Sequence, residues 1–90
     1  MEIILKAASA GTMESSDAYV EVEPGSNGLD IHVESVVAQQ FGQAIEDAVK
    51  DVLQEQKVEN AVVRVVDRGA LDCVLRARVE AALLRAMEEQ

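Results

Sequence analysis

The sequence predicts a two-layer α+β fold, and three observations carry that prediction. Two stretches alternate between apolar and polar residues on either side of a Gly-rich turn. A longer stretch repeats its apolar residues at three- and four-residue intervals. A short β-branched run then leads into a second helical stripe. The resulting order is arm-β-β-α-β-α: a β-hairpin plus a further strand form a small sheet, and two amphipathic helices pack on one face. Ninety residues provide one modest core, so residues 1–90 read as a single domain, with residues 1–17 as an N-terminal arm and loop.

Each element follows from its local pattern. The run Ile3-Ile4-Leu5 is short and apolar, fit for an edge strand or a packed arm. From Ala7 to Asp17 the residues turn small and polar, without helical or strand periodicity, so this segment reads as a loop. Ala18, Val20 and Val22 then alternate with Tyr19, Glu21 and Glu23. Pro24-Gly25-Ser26-Asn27-Gly28 has turn chemistry throughout, and Leu29, Ile31 and Val33 resume the alternation. A β-hairpin is the prediction. Ser35 is placed to cap a helix over about residues 36–56, whose stripe of Phe41, Ala44, Ile45, Ala48, Val49, Val52 and Leu53 makes Phe41 its largest apolar anchor. The run from Ala61 to Asp67 reads as a strand, and the strand–helix–strand unit is a right-handed crossover if its strands are parallel. After Arg68-Gly69, a second stripe of Leu71, Leu75, Val79, Ala82, Leu83 and Ala86 predicts a helix to about residue 88.

Composition narrows the functional classes. A net charge of −9 disfavours nucleic acid and anionic membrane as partners, because phosphates would be repelled. No apolar run reaches the roughly 20 residues of a membrane span, and the N-terminus lacks the basic start of a secretory signal, so a cytoplasmic protein is expected. Cys73 and His32 are each single, which leaves no disulfide and no metal cluster; Cys73, beside Val74 and Leu75, is expected at a core or boundary position. Paired acids such as Glu21/Glu23 and Glu46/Asp47 fall on solvated faces, and no phosphate-binding Gly loop is present. No catalytic centre assembles from these residues. Bases concentrate towards the C-terminal third, including Arg68, Arg76, Arg78 and Arg85.

Two motifs carry a resemblance. The segment Ala10-Gly11-Thr12-Met13-Glu14-Ser15-Ser16-Asp17 is similar to the Ala-Gly-Thr-Leu-Glu-Ser signature of citrate lyase acyl-carrier (gamma) subunits, with Met13 in place of leucine. Phe41-Gly42 resembles that family's Gln-Phe-Gly. Asp67-Arg68-Gly69-Ala70-Leu71-Asp72-Cys73, with Arg76-Ala77-Arg78 beyond it, resembles its Asp-Lys-Gly-Ala-Leu-Asp-Cys…Arg-Ala-Arg signature. The motifs keep their order across nearly the whole chain. The all-helical bundle of the common acyl carrier proteins is excluded by the alternating strands, and its Asp-Ser-Leu motif is missing.

The resemblance implies a non-catalytic carrier subunit. Ser15 would hold 2'-(5''-phosphoribosyl)-3'-dephospho-CoA through a phosphodiester, installed by a dedicated transferase. Acetyl and citryl thioesters would be held on its terminal thiol while the alpha (CoA-transferase) and beta (citryl lyase) subunits turn citrate into acetate and oxaloacetate. A covalent arm makes successive encounters intramolecular, which raises effective concentration at two sites in turn. Its serine belongs on an exposed loop, as Ser15 is predicted to be; Ser9 and Ser16 are its neighbours on the same segment. Glu14 and Asp17 repel phosphate, which makes them recognition marks or caps and not ligands. Arg68, Arg76 and Arg78 are candidates either for steadying the arm's phosphates or for meeting acidic patches on partners. The carriers of citramalate lyase and malonate decarboxylase, or an unmodified interaction module, are the alternative readings.

Overall fold

The computed structural model describes residues 3–36 and 38–88. Its elements are β1 (Ala8–Gly11), β2 (Ala18–Pro24), β3 (Leu29–Ser35), α1 (Ala38–Glu55), β4 (Ala61–Asp67) and α2 (Asp72–Met87). The α+β class, the two-layer build and the succession of the five later elements agree with the prediction. The arm differs from it. Ala8–Gly11, read above as loop, pairs antiparallel with β2 and adds a fourth strand at the sheet's edge. Ile4 is buried while Ile3 and Leu5 are exposed, and the amides of Leu5 and Lys6 donate to the Ala86 carbonyl at the end of α2, so this part packs as an arm.

The hairpin is corrected. The sheet order is β1-β2-β4-β3, so β4 lies between the two strands that were expected to pair. It runs antiparallel to β2 and parallel to β3. The loop from Gly25 to Gly28 therefore spans two strand spacings, roughly 10 Å, which four residues can cover. It does so by crossing the start of β4. The Gly28 carbonyl accepts from the Ala61 amide at 3.2 Å, and the Gly28 amide donates to Asn60 Oδ1 at 2.8 Å. Gly25 passes so close to Ala61 that a Cβ would come within 2.9 Å of its backbone nitrogen. The parallel β3-α1-β4 unit is the crossover that the sequence anticipated.

Register puts the apolar residues on one face. Ala10, Val20, Val65 and Val33 form one row across the sheet, and Ala8, Val22, Val63 and Ile31 form the next. Onto this face pack Ile45, Ala48, Val49, Val52 and Leu53 of α1 and Leu75, Val79, Ala82, Leu83 and Ala86 of α2. The helix stripes face inward because apolar positions three and four apart share one side. The opposite face carries Glu21, Arg64 and His32 in register and faces solvent. At the end of α1, Lys57 adopts a left-handed φ of 59°, and the Val58 amide donates to Leu53 O at 3.0 Å, which closes the helix and returns the chain to β4.

Three further expectations change. Phe41 is 53% exposed and anchors nothing in the core; the core of α1 is built from smaller residues one to three turns further on. Leu71 is 70% exposed, since α2 begins only at Asp72, and Cys73 is also exposed, on the solvent side of that first turn. Ser35 ends β3 and donates its hydroxyl to Asp67 Oδ2 at 2.8 Å, which ties β3 to β4, and the cap expected of it on α1 lies outside the described residues.

Candidate functional site

One end of the sheet gathers every motif singled out in the sequence. Gly11 ends β1 there, Ala18 begins β2, and Ser35 and Asp67 end β3 and β4. Both helices also begin at this end. The connection from β1 to β2 is the segment Thr12 to Asp17, with Ser15 near its apex.

The turn is built from its own side chains. Thr12 Oγ1 donates to Asp17 Oδ2 at 2.7 Å and accepts from the Glu14 amide at 3.2 Å. The Asp17 amide donates to the Glu14 carbonyl at 3.2 Å, which makes Ser15 and Ser16 the central pair of a β-turn, and Ser16 takes a left-handed φ of 65°. Asp17 Oδ1 accepts from the Ala18 amide at 2.7 Å. Such short-range polar closure is what Thr and Asp side chains do in turns. Gly11, at φ 95°, is required at the entrance: a Cβ there would lie 1.9 Å from the Ala18 carbonyl oxygen.

Two longer-range contacts fix the turn to the body. The Ser16 amide donates to the Arg68 carbonyl at 2.8 Å, and the Arg68 amide donates to the Asp17 carbonyl at 2.9 Å, extending the β2–β4 ladder by one step. Arg78 of α2 donates from Nε and Nη2 to the two oxygens of Asp17, each at 2.9 Å. The Arg78 hydrogen bonds, then Thr12 and the Ala18 amide, hold the Asp17 carboxyl well below the usual carboxylate range, and Asp17 raises Arg78 in return.

On this frame the three serines separate. Ser15 is exposed, and its hydroxyl has no hydrogen-bond partner among the described residues. Ser16 is held by its backbone in the left-handed region. Ser9 lies half-buried in β1, with its carbonyl accepting from Arg85. The arginines separate too. Arg76 is occupied by Asp72 and Asp51, which raise it, and Arg78 by Asp17. Arg64 pairs with Glu23. Arg68 is exposed, and its side chain alone among the five arginines has no partner among the described residues.

Beside the turn lies an apolar cleft of about 320 Å³, lined by Phe41, Ala44 and Ile45 of α1, by Asp67, Gly69 and Ala70, and by Asp72 and Leu75 of α2. Asp67, 3% exposed, is buried at its edge and accepts from Ser35 Oγ and from the Ala70 amide at 3.0 Å, which holds the loop after β4 in place. A larger hollow around Pro24 to Asp30 is at the opposite end of the sheet. Sequence reasoning missed the Asp17–Arg78 fork and the Asp67 anchor. The one available signal for Asp67 was an acid closing an otherwise apolar strand. Among the described residues no group of His, Cys, Asp and Glu is arranged to hold a metal, and none of their helices is long and apolar enough to cross a membrane.

Comparison with known proteins adds the family. The model described as the malonate decarboxylase delta subunit (MdcD), an acyl carrier family, matches residues 5–86. Citrate lyase acyl carrier protein 2 of Salmonella typhimurium is 53% identical over 87 residues, covering 96% of this chain and 90% of that protein. The citrate lyase acyl carrier protein of Haemophilus influenzae is 54% identical over 86 residues, with the same coverage of each. Among solved structures, a chain of a Pseudomonas malonate decarboxylase hetero-tetramer in complex with malonate superposes with a TM-score of 0.80 at 25% identity, over 93% of this chain and 87% of that one.

Proposed function

Because the chain belongs to the citrate lyase acyl carrier protein family, and is a carrier subunit and not a catalyst, we propose that Ser15 is the residue to which its acyl-bearing group is attached. The observation that carries this reading is the free, exposed Ser15 hydroxyl at the apex of a turn that the Thr12 and Asp17 side chains close and Arg78 fastens. A phosphodiester formed there leaves every hydrogen bond of the turn intact. At Ser16 it would load a residue already in a strained conformation, and at Ser9 it would crowd a strand.

The group fits as the phosphoribosyl-dephospho-CoA of this family, which when bound supplies a terminal thiol able to carry acyl groups as thioesters. The protein's own part is mechanical. Asp17 and Arg78 hold the turn against α2, Arg68 holds it against β4, and Ser15 projects from a fixed base while whatever it carries stays mobile. The partners in this reading are the alpha (CoA-transferase) and beta (citryl lyase) subunits of citrate lyase and the transferase that loads Ser15. The compartment is the cytoplasm, and residues 1–90 act as one carrier domain.

A carrier of malonate decarboxylase is the second reading, favoured by the family match and by the structural neighbour. The lower identity to that neighbour, 25% against 53%, places it second. Intact mass and peptide mapping over residues 7–20 of protein purified from cells growing on citrate test the main reading. A CoA-derived mass on the Ser15 peptide, absent from Ser15→Ala, is expected. A bare Ser15 in active complex would overturn it. Activity of the purified complex on citrate but not malonate separates the two carriers.

A further inference from the structure

We infer that the apolar cleft between the N-terminal ends of α1 and α2 is a resting site for the group tethered to Ser15, with Arg68 at its mouth holding a phosphate. This rests on Ser15 being the attachment residue. Arg68 is the anchor of the argument. Its backbone is clamped to Ser16 and Asp17 by two hydrogen bonds, so its position relative to the serine turn is fixed, while its guanidinium has no partner among the described residues. In a chain of net charge −9, whose other four arginines are all engaged, that leaves one uncommitted guanidinium adjoining the proposed attachment point. A guanidinium binds phosphate oxygens through paired N–H donors.

The cleft adjoins it directly, because Arg68 stands between two of its lining residues, Asp67 and Gly69. Its walls are Phe41, Ala44, Ile45, Ala70 and Leu75, and the half-exposed ring of Phe41 offers a face against which a flat base can lie. At about 320 Å³ it is near the lower bound of small-molecule sites, room for one nucleoside-sized portion of an arm and not for all of it. The anions nearby do not oppose the fit equally. Asp67 accepts from Ser35 and Ala70, and Asp72 is taken up by Arg76, whereas the exposed Glu14 beside Ser15 has no cation among the described residues and repels phosphate on its own side of the turn. Shelter in such a cleft would protect the arm between visits to the catalytic subunits and release it when they dock.

The experiment compares amide NMR spectra of the full chain with and without the attached group, together with the Arg68→Gln and Arg76→Gln variants. Peptide mapping of the same sample locates the modification. The expected result is a set of shifts at Phe41, Ala44, Ile45, Gly69, Ala70 and Leu75 in modified protein, reduced several-fold by Arg68→Gln and kept in Arg76→Gln. Modification at Ser15 with shifts confined to residues 12–18 overturns the resting site and leaves the attachment reading standing. Modification at another residue overturns both. Cleft shifts that arise only on adding a catalytic subunit assign the cleft to that partner and also overturn the inference.

Discussion

Arg78 and Asp17, 61 residues apart in sequence, meet in a two-pronged ion pair with both donor–acceptor distances at 2.9 Å. Asp17 closes the serine turn and Arg78 belongs to α2, so the turn is fastened to the helical layer as well as to the sheet. An ammonium cannot reproduce a planar fork. Arg78→Lys is therefore expected to loosen residues 12–17 although the charge is kept. Amide hydrogen exchange should accelerate several-fold in that segment while β2 and β4 remain protected. Equal exchange in Arg78→Lys and the native chain would show that the fork does not hold the turn.

The same pair predicts an acid-limb signature. Folding holds the Asp17 carboxyl below its ordinary value near 3.9, chiefly through the hydrogen bonds from Arg78. A group depressed in the folded state contributes its full stabilisation above the unfolded value and loses it as pH falls through the folded one. Asp17→Asn should thus be less stable than the native chain by a constant margin from about pH 7 to pH 5, and the margin should shrink below about pH 4. Urea unfolding across that range checks it; a margin undiminished between about pH 4 and pH 2 would remove the carboxylate from the account. Because the Arg78 side chain is 39% exposed, the margin should also fall as salt is added.

At the entrance of the turn, Gly11 has no tolerance for a side chain. A Cβ would meet the Ala18 carbonyl oxygen at 1.9 Å, and the residue's φ of 95° is unfavourable for any L-side chain. Gly11→Val is expected to cost at least about 2 kcal/mol, combining backbone strain with displacement of β2. On the proposal that Ser15 is the attachment residue, the same change should slow its loading, because the turn is displaced with it. Thermal unfolding and loading rate measured on one preparation test both, and a native melting temperature would show that β1 ends elsewhere.

Much of this was legible in residue patterns, and the misses share a cause. Alternation in 18–24 and 29–35 identified two strands correctly, because period two depends only on which face is buried. It could not identify their neighbour. Val62, Val63, Val65 and Val66 place β-branched residues on both faces of β4, the mark of a central strand, and that pattern contained the insertion that split the predicted hairpin. Phe41 shows the opposite error. Helical periodicity assigned it to the stripe by position, yet it lies in the first turn of α1 and is half exposed, whereas the core residues come from the later turns. The serine turn was located by motif, whereas its fastening by Arg78 is a contact between distant segments and leaves no local trace.

Phe41 and Leu83 give the sharpest contrast between residues that maintain the fold and residues that serve the site. Leu83 is fully buried beneath the sheet, so Leu83→Ala leaves a cavity and is expected to cost about 2–5 kcal/mol. For a domain with roughly 5–15 kcal/mol in hand, that is a large fraction of its stability. Phe41, half in solvent, should tolerate Phe41→Ala with a change within about 1 kcal/mol. Yet a large ring left at the surface beside the serine turn serves no purpose for folding that Ala would not serve. Citrate turnover by the reassembled complex should therefore fall in Phe41→Ala while its urea midpoint stays near native, and fall in Leu83→Ala only in proportion to the unfolded fraction. Full turnover in folded Phe41→Ala would mean the ring contributes to neither the arm nor the partners, and a collapse of its midpoint would return Phe41 to the core.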